Sequence, residues 1–192
     1  MKSKRARDLL FSAVLLGGLL VGRASFADHY RVPTGSMLPT IELDDHVLVS
    51  KAAYGLRLPL TERYLVRWGE PARGDVVVLS NPSGESTPLL KRVVAVPGDE
   101  VEVRDGRLLL GGVPVPIEGG REVLGRPHVV RLDDGGGPPF GPTVVPPGRF
   151  LVMGDNRGNS HDGRSFGLVE GEALLGHVLA VVYRNGPVWE RL

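Results

Sequence analysis

Leu89-Leu-Lys-Arg-Val-Val-Ala-Val-Pro-Gly98 is the stretch whose reading decides the fold. Its β-branched content argues for a strand. Pro97-Gly98 ends it, because proline has no N–H to give a ladder and glycine suits the turn that follows. Alternate side chains of a strand share a face. Lys91 therefore lies with Leu89, Val93 and Ala95, and Arg92 with Leu90, Val94 and Val96. A lysine on an apolar strand face is either at a sheet edge, with its amine in water, or buried with a task. Burial would disfavour the ammonium and lower its pKa, and Leu89 and Val93 can supply that apolar setting.

The same grammar recurs along the chain. Glu42-Leu-Asp-Asp-His-Val-Leu-Val-Ser50, Gly74-Asp-Val-Val-Val-Leu79 and Gly98-Asp-Glu-Val-Glu-Val103 each set polar residues before a short valine-rich run. Asp45, Asp75 and Asp99 read as turn formers, and their unequal spacing argues against a solenoid period. Asp105-Gly106 marks a hairpin. Residues 150–153 and 174–183 read as later strands. With 27 glycines and 16 prolines in 192 residues and no collagen period, the chain reads as mainly β, one domain with a small satellite. Residues 51–70 carry Tyr54, Tyr64 and Trp68 among charges. They read as a long loop on the domain or at a membrane interface, where aromatics settle. The Pro- and Gly-rich residues 111–148 read as the satellite, with mobile loops and a short strand over 127–132.

Composition excludes several function classes. A net charge of +1 with 23% charged residues leaves no nucleic-acid footprint. The absence of cysteine excludes disulfides, cysteine catalysis and Cys-zinc sites, and fits an oxidising compartment. His29, His46, His128, His161 and His177 show no ligand spacing, so neither metal nor cofactor is expected.

Lys2, Lys4, Arg5 and Arg7 precede 14 apolar and small residues, 9–22. That length suits a signal-peptide core, and Ser25-Phe26-Ala27 offers a small-x-small cleavage pattern. Extended to Ala27, the segment is 19 residues, roughly 28 Å as a helix, and can span a bilayer with Arg23 snorkelling to the interface. Either way the basic end stays in the cytoplasm and the rest lies outside.

Two polar stretches remain. Arg31-Val-Pro-Thr-Gly-Ser-Met-Leu-Pro-Thr40 brackets Ser36 with two prolines, and Gly35 permits a sharp bend. Alone it is an ordinary turn, since a serine hydroxyl needs a base to become a nucleophile. Gly154-Asp-Asn-Arg-Gly-Asn-Ser-His-Asp-Gly-Arg-Ser-Phe-Gly167 is a dense polar loop between apolar strands. Asp155, Arg157, Asp162 and Arg164 can pair within it, as a site or as a plain ion-pair scaffold, and Ser160 adds a hydroxyl.

Together the three stretches resemble bacterial signal peptidase I, a membrane-bound serine peptidase family with a Ser/Lys dyad. Ser-Met-Leu-Pro-Thr40, Lys-Arg-Val-Val-Ala-Val-Pro-Gly-Asp99 and the Gly154–Gly167 loop each match a family box, in the family's order. The sequence departs from the pattern at Gly163, where Ser is expected, and at Glu170-Gly171, where Pro is frequent. The resemblance implies Ser36 as nucleophile and Lys91 as general base. It implies Thr34 Oγ1 and the Ser36 N–H as oxyanion donors. It also implies Ser160 orienting the Lys91 amine, with Asp162 and Arg164 holding the loop. The implied substrates are secretory preproteins with small residues before the cut, bound as an added strand. The implied fold is an antiparallel β catalytic domain, residues 28–103 and 146–192, with a reduced β/loop satellite over 104–145. The implied anchor is a retained transmembrane helix over 9–27 in the cytoplasmic membrane, after a cytoplasmic 1–8. Two rivals remain: a Ser/Lys self-cleaving repressor, which would need a DNA-binding helical domain in place of the apolar segment, and a non-enzymatic β-rich membrane protein.

Overall fold

The turn aspartates share one device. Asp45, Asp75 and Asp99 each accept, through Oδ2, the backbone N–H three residues earlier: from Glu42 at 2.8 Å, Ala72 at 3.0 Å and Val96 at 2.9 Å. Each carboxylate closes a tight turn, and a strand begins at the next residue. The structure, a computed structural model, describes residues 8, 11–12, 27–57 and 64–192. Its strands in chain order are β1 (Ala27–Arg31), β2 (His46–Ser50), β3 (Gly55–Arg57), β4 (Tyr64–Arg67), β5 (Val76–Leu79) and β6 (Leu89–Ala95). Next come β7 (Glu100–Arg104), β8 (Arg107–Leu110), β9 (Val113–Pro114), β10 (Ile117–Glu118), β11 (Arg121–Leu124) and β12 (Arg126–Val129). The last are β13 (Phe140–Val144), β14 (Arg149–Met153), β15 (Val169–Glu170), β16 (Leu174–Tyr183) and β17 (Pro187–Arg191), with a single-turn helix α1 (Gly163–Phe166) before β15.

One eight-stranded antiparallel sheet runs β1-β2-β16-β5-β6-β14-β15, with β17 paired to β16. Smaller sheets, β13-β7-β8-β9 and β10-β11-β12, follow in the middle of the chain. Asp105-Gly106 forms the two-residue turn between β7 and β8, with φ of 48° and 73°. Positive φ at both positions is the twist-matched hairpin turn that Asp-Gly favours. The expected strand over 127–132 is shorter and earlier, as β12.

Among the described residues, three clusters form the core. Val94, Ala95, Leu151 and Met153 of the main sheet pack against Val101, Val103, Leu108 and Leu124 of the small sheets. Val77, Leu79, Val93, Phe150, Val152 and Leu174 pack with Tyr54. Val47, Val49, Val76, Val78, Val178 and Val181 form the third, joined by Val32, Met37 and Ile41 from the segment around Ser36.

The loop reading of 51–70 needs correction. A 3-10 turn (Lys51–Ala53) leads into a β3-β4 ribbon. Tyr54 is buried in the core, and the Trp68 indole N–H donates to the Ala52 carbonyl at 2.9 Å. The residues pair as a ribbon because β-pairing depends on tertiary packing more than on local composition, and Tyr54 supplies that packing from within the core. Residues 58–63 lie outside the described residues. So does the expected span, apart from Phe11, Ser12 and Ala27, and Ala27 opens β1. Among the described residues no helix is long and apolar enough to cross a membrane.

Candidate active site

After β1 the chain is pinned before it turns. The Val32 N–H donates to Asp45 O at 2.9 Å, and the Asp44 N–H returns to Val32 O at 2.8 Å. Met37 and Ile41 are fully buried, so the residue between Gly35 and Met37 is held on a fixed bend. Gly35 is not in the left-handed region; the requirement there is space, since a Cβ would lie 2.9 Å from Leu38 Cδ1.

Lys91 meets this bend at the edge of β6. β14 pairs with β6 no further than Arg92, opposite Met153, so Lys91 is the first residue beyond that ladder. Its Nζ lies 2.8 Å from Ser36 Oγ and 2.9 Å from Leu90 O. Lys91 is 3% exposed and Ser36 8%. Burial lowers the lysine pKa from 10.5 to about 8, against the opposing pull of Asp162 and Asp155, while Arg164 adds to the fall. Thr34 Oγ1 stands 3.4 Å from Ser36 Oγ. A groove of about 260 Å³ leads to Thr34 and Lys91, walled by Tyr30, Val32, Val47, Val78 and Leu90.

The polar loop closes over the bend from behind. At Gly154 a Cβ would sit 2.3 Å from Ser160 Oγ and 2.4 Å from Ser36 O, so only glycine fits. The Asn156 N–H donates to Ser36 O at 3.1 Å, and its Nδ2 to Gly35 O at 3.1 Å. Asp162 Oδ2 accepts the Gly154 N–H at 3.0 Å, while Oδ1 accepts from Arg164 Nε at 2.8 Å. Burial alone would raise the Asp162 pKa; Arg164 and the other donors outweigh it and hold the carboxyl ionised.

The four loop charges do not all pair among themselves as the sequence suggests. Only Asp162 and Arg164 do. Asp155 takes a bidentate contact from Arg92, at 2.8 and 2.6 Å, plus the Thr40 hydroxyl at 2.6 Å. Arg157, fully buried, reaches Glu122 at 2.6 Å and the carbonyls of Gly106 and Gly154. A buried charge needs a partner that satisfies it in full, and neighbours along one short loop cannot supply that geometry for two pairs at once.

A buried serine hydroxyl against a buried amine of lowered pKa is equipment for acyl transfer without a metal or cofactor. Comparison with known proteins decides which kind. The pattern of the family described as signal peptidase, peptidase S26, matches residues 4–183. The chain belongs to this family. It is 35% identical over 190 residues to the signal peptidase I of Pseudomonas fluorescens, across 85% of this chain and 67% of that one. It is 34% identical over 190 residues to that of Pseudomonas aeruginosa, with the same coverage. A crystal structure of a signal peptidase I from Enterococcus faecalis V583 aligns over 57% of this chain and 97% of its own, at 24% identity and a TM-score of 0.40. As a serine peptidase of the signal peptidase family, the protein removes signal peptides, and the repressor and non-enzymatic readings fall away.

Within this signal peptidase the structure brings Ser36, Lys91 and Thr34 together. Asp162 and Arg164 lie directly beneath them. Ser160 is at the site but does not bond the amine: among the described residues its buried hydroxyl has no hydrogen bond of ordinary geometry, though it adds slightly to the stabilisation of the Asp162 carboxylate. The departure from the family pattern at Gly163 is accommodated locally, since a Cβ there would lie 2.7 Å from Leu151 Cδ1 and 2.8 Å from Val152 O. Two residues of the site escaped sequence reasoning, Gly154 and Asn156. The signal available for them was their place in the polar loop that matches a family box.

Proposed function

We propose that Ser36 is the nucleophile and Lys91 the general base of signal-peptide cleavage. The 2.8 Å approach of the buried Lys91 Nζ to Ser36 Oγ carries the reading. With the amine neutral, the Ser36 O–H donates to its lone pair. Oγ attacks the scissile carbonyl carbon, its proton passes to Nζ, and the carbonyl oxygen becomes an oxyanion held by the Ser36 N–H and Thr34 Oγ1. The ammonium then protonates the leaving nitrogen as the C–N bond breaks, leaving an ester on Ser36. Neutral again, Lys91 takes a proton from water as the oxygen attacks the ester; the ammonium then gives that proton to Ser36 Oγ as its bond to the acyl carbon breaks, which restores the dyad and frees the signal peptide as an acid that ionises in water.

The lowered pKa matters by orders of magnitude. At about 8, about one lysine in eleven is neutral at pH 7; at 10.5 the fraction would be roughly 300-fold smaller. The groove beside Thr34 supports binding of the preprotein as an added strand, with the apolar side chains of Val32, Val47, Val78 and Leu90 lining the place of the residues before the cut. The apolar segment that begins at residue 9 and ends before β1 acts as a retained anchor, N-terminus in the cytoplasm and active site outside. Exposed Leu65 and Val66 of β4 and Trp68 just after it support contact with lipid. The β3-β4 ribbon packs by the Lys51–Ala53 turn, where Lys51 pairs with Asp28 of β1 at 2.9 Å.

The test is cleavage of a soluble peptide with Ala at the residue before the cut and two residues earlier. Ser36→Ala should be inactive and unlabelled by an acylating serine-peptidase inhibitor that labels the wild type. Wild-type kcat/KM should rise about tenfold per pH unit below about 8. Activity in Ser36→Ala, or a midpoint near 10.5, would end the dyad.

A further inference from the structure

The Gly35–Ser36 peptide is held at its oxygen end from two directions. Gly35 O accepts the Leu38 N–H at 3.2 Å and Asn156 Nδ2 at 3.1 Å. A trans peptide is a rigid plate, with C=O and N–H pointing opposite ways. Among the described residues the cis bonds are at Leu38-Pro39 and Gly141-Pro142, so this plate is trans. Fixing Gly35 O therefore fixes the direction of the Ser36 N–H at its other end. Among the described residues that N–H has no acceptor.

The next plate is held too. The Asn156 backbone N–H donates to Ser36 O at 3.1 Å, so one residue clamps the peptides on both sides of the Ser36 Cα. Asn156 is 1% exposed. Only its amide nitrogen can face a carbonyl oxygen at that distance, which sets the orientation of the side chain. Its backbone is fixed in turn: the neighbouring Arg131 N–H donates to Asp155 O at 2.8 Å and the Arg157 N–H to Arg131 O at 2.9 Å. Asp155 itself is anchored by Arg92.

We propose that Asn156 is a positioning residue that aims the Ser36 N–H at the developing oxyanion, by holding the far end of the same peptide plate through Nδ2. The proposal rests on Ser36 being the nucleophile. A preset donor lowers the barrier because it need not reorient as charge develops. Asn156 makes no hydrogen bond to the Lys91 amine, which bonds Ser36 Oγ and Leu90 O. Its effect should therefore fall on the transition state alone.

The informative variant is Asn156→Asp. It has the same shape, keeps the backbone N–H to Ser36 O, and replaces the donor by an acceptor that repels Gly35 O. On the Ala-x-Ala peptide the full-length enzyme should lose about 10–100-fold in kcat, short of the roughly 10²–10³-fold of a deleted oxyanion donor. KM should stay within about threefold, and the pH midpoint of kcat/KM should not move. A peptide boronate, which forms a tetrahedral adduct on Ser36, should weaken by the same factor as kcat/KM. Asn156→Ala should show the same pattern, less severely, since no carboxylate then faces Gly35 O. Wild-type kcat in both variants overturns the proposal, as does a loss that falls on KM or shifts the pH midpoint. If Asp does not fold, Ala is read by the same criteria; if neither folds, Asn156 holds the fold and the proposal fails. Full activity in Ser36→Ala would instead remove the nucleophile assignment beneath it.

Discussion

Lys91→Met should abolish cleavage and yet, at neutral pH, relieve the fold of a burden. The folded protein holds this lysine at a pKa of about 8 against 10.5 when exposed. At about 1.4 kcal/mol per pH unit, the buried ammonium costs roughly 3 kcal/mol below pH 8, where both states are protonated. Between about 8 and 10.5 the unfolded chain binds the extra proton, so wild-type stability rises with pH, and above that window the cost is gone. Methionine nearly matches the stem and carries no charge, so its variant lacks this term. It does lose the bonds to Ser36 Oγ and Leu90 O, each worth about 0.5–1.5 kcal/mol. At pH 7 the two effects leave the variant about as stable as wild type or up to about 2 kcal/mol more so. At pH 11 it should be less stable, because only the bond losses remain. The diagnostic quantity is the difference in unfolding free energy between the two proteins, measured by urea titration of the full-length chains in detergent at both pH values. Other titrating groups cancel in that difference. It should swing by roughly 3 kcal/mol; a difference independent of pH would refute a buried lysine of lowered pKa.

Thr34→Val should cut kcat by roughly 10²–10³-fold and Thr34→Ser should keep most of it, if Thr34 Oγ1 serves the oxyanion; equal rates for Val and wild type would leave it a packing residue. Gly154→Ala should be inactive on the peptide, because the Cβ must displace Ser160 Oγ or Ser36 O, both within 2.4 Å of it; substantial activity would show that the bend is soft. Arg164→Gln should strip Asp162 of its compensating charge beside Lys91. The midpoint of the pH–rate profile should then move above 8, while the unpaired buried carboxylate destabilises the fold by about 3–5 kcal/mol; an unmoved midpoint in folded protein would show that Arg164 has no electrical influence on the amine.

What could be read from the sequence was local. Turn aspartates act on an N–H three residues away, and Asp105-Gly106 fixes its own hairpin, so those elements were visible in their own residues. Alternation placed Lys91 and Arg92 on opposite faces, and one does reach Ser36 while the other reaches Asp155. The partners were not legible. Arg92 and Asp155 are 63 residues apart, and Glu122, in the stretch that reads as a satellite, lies 35 residues before Arg157 of the polar loop. Charge content says that such groups need partners; only the folded path says which. Gly35 was legible as necessary but for the wrong reason, since its constraint is the Leu38 side chain and not its φ.

The buried ion pairs under the site are better understood through what they do to Lys91 than through the stability they add. Replacing such pairs with apolar residues often leaves a fold no less stable, because desolvation offsets most of the attraction. Here burial pushes the carboxyls of Asp155 and Asp162 up, and guanidinium contacts bring both back below their ordinary values. Two permanent carboxylates thus stand near an amine that must lose its proton to serve as a base. Unpaired, they would favour the ammonium, since in a site this dry an opposite charge is screened little. Paired with Arg92 and Arg164 they present dipoles, and burial of the amine remains the largest influence on its pKa. The carboxylates are needed for other reasons: Asp162 holds the Gly154 N–H, and Asp155 holds Thr40. The arginines therefore let the loop use carboxylates to fix the bend at Ser36 without recharging the amine beside it.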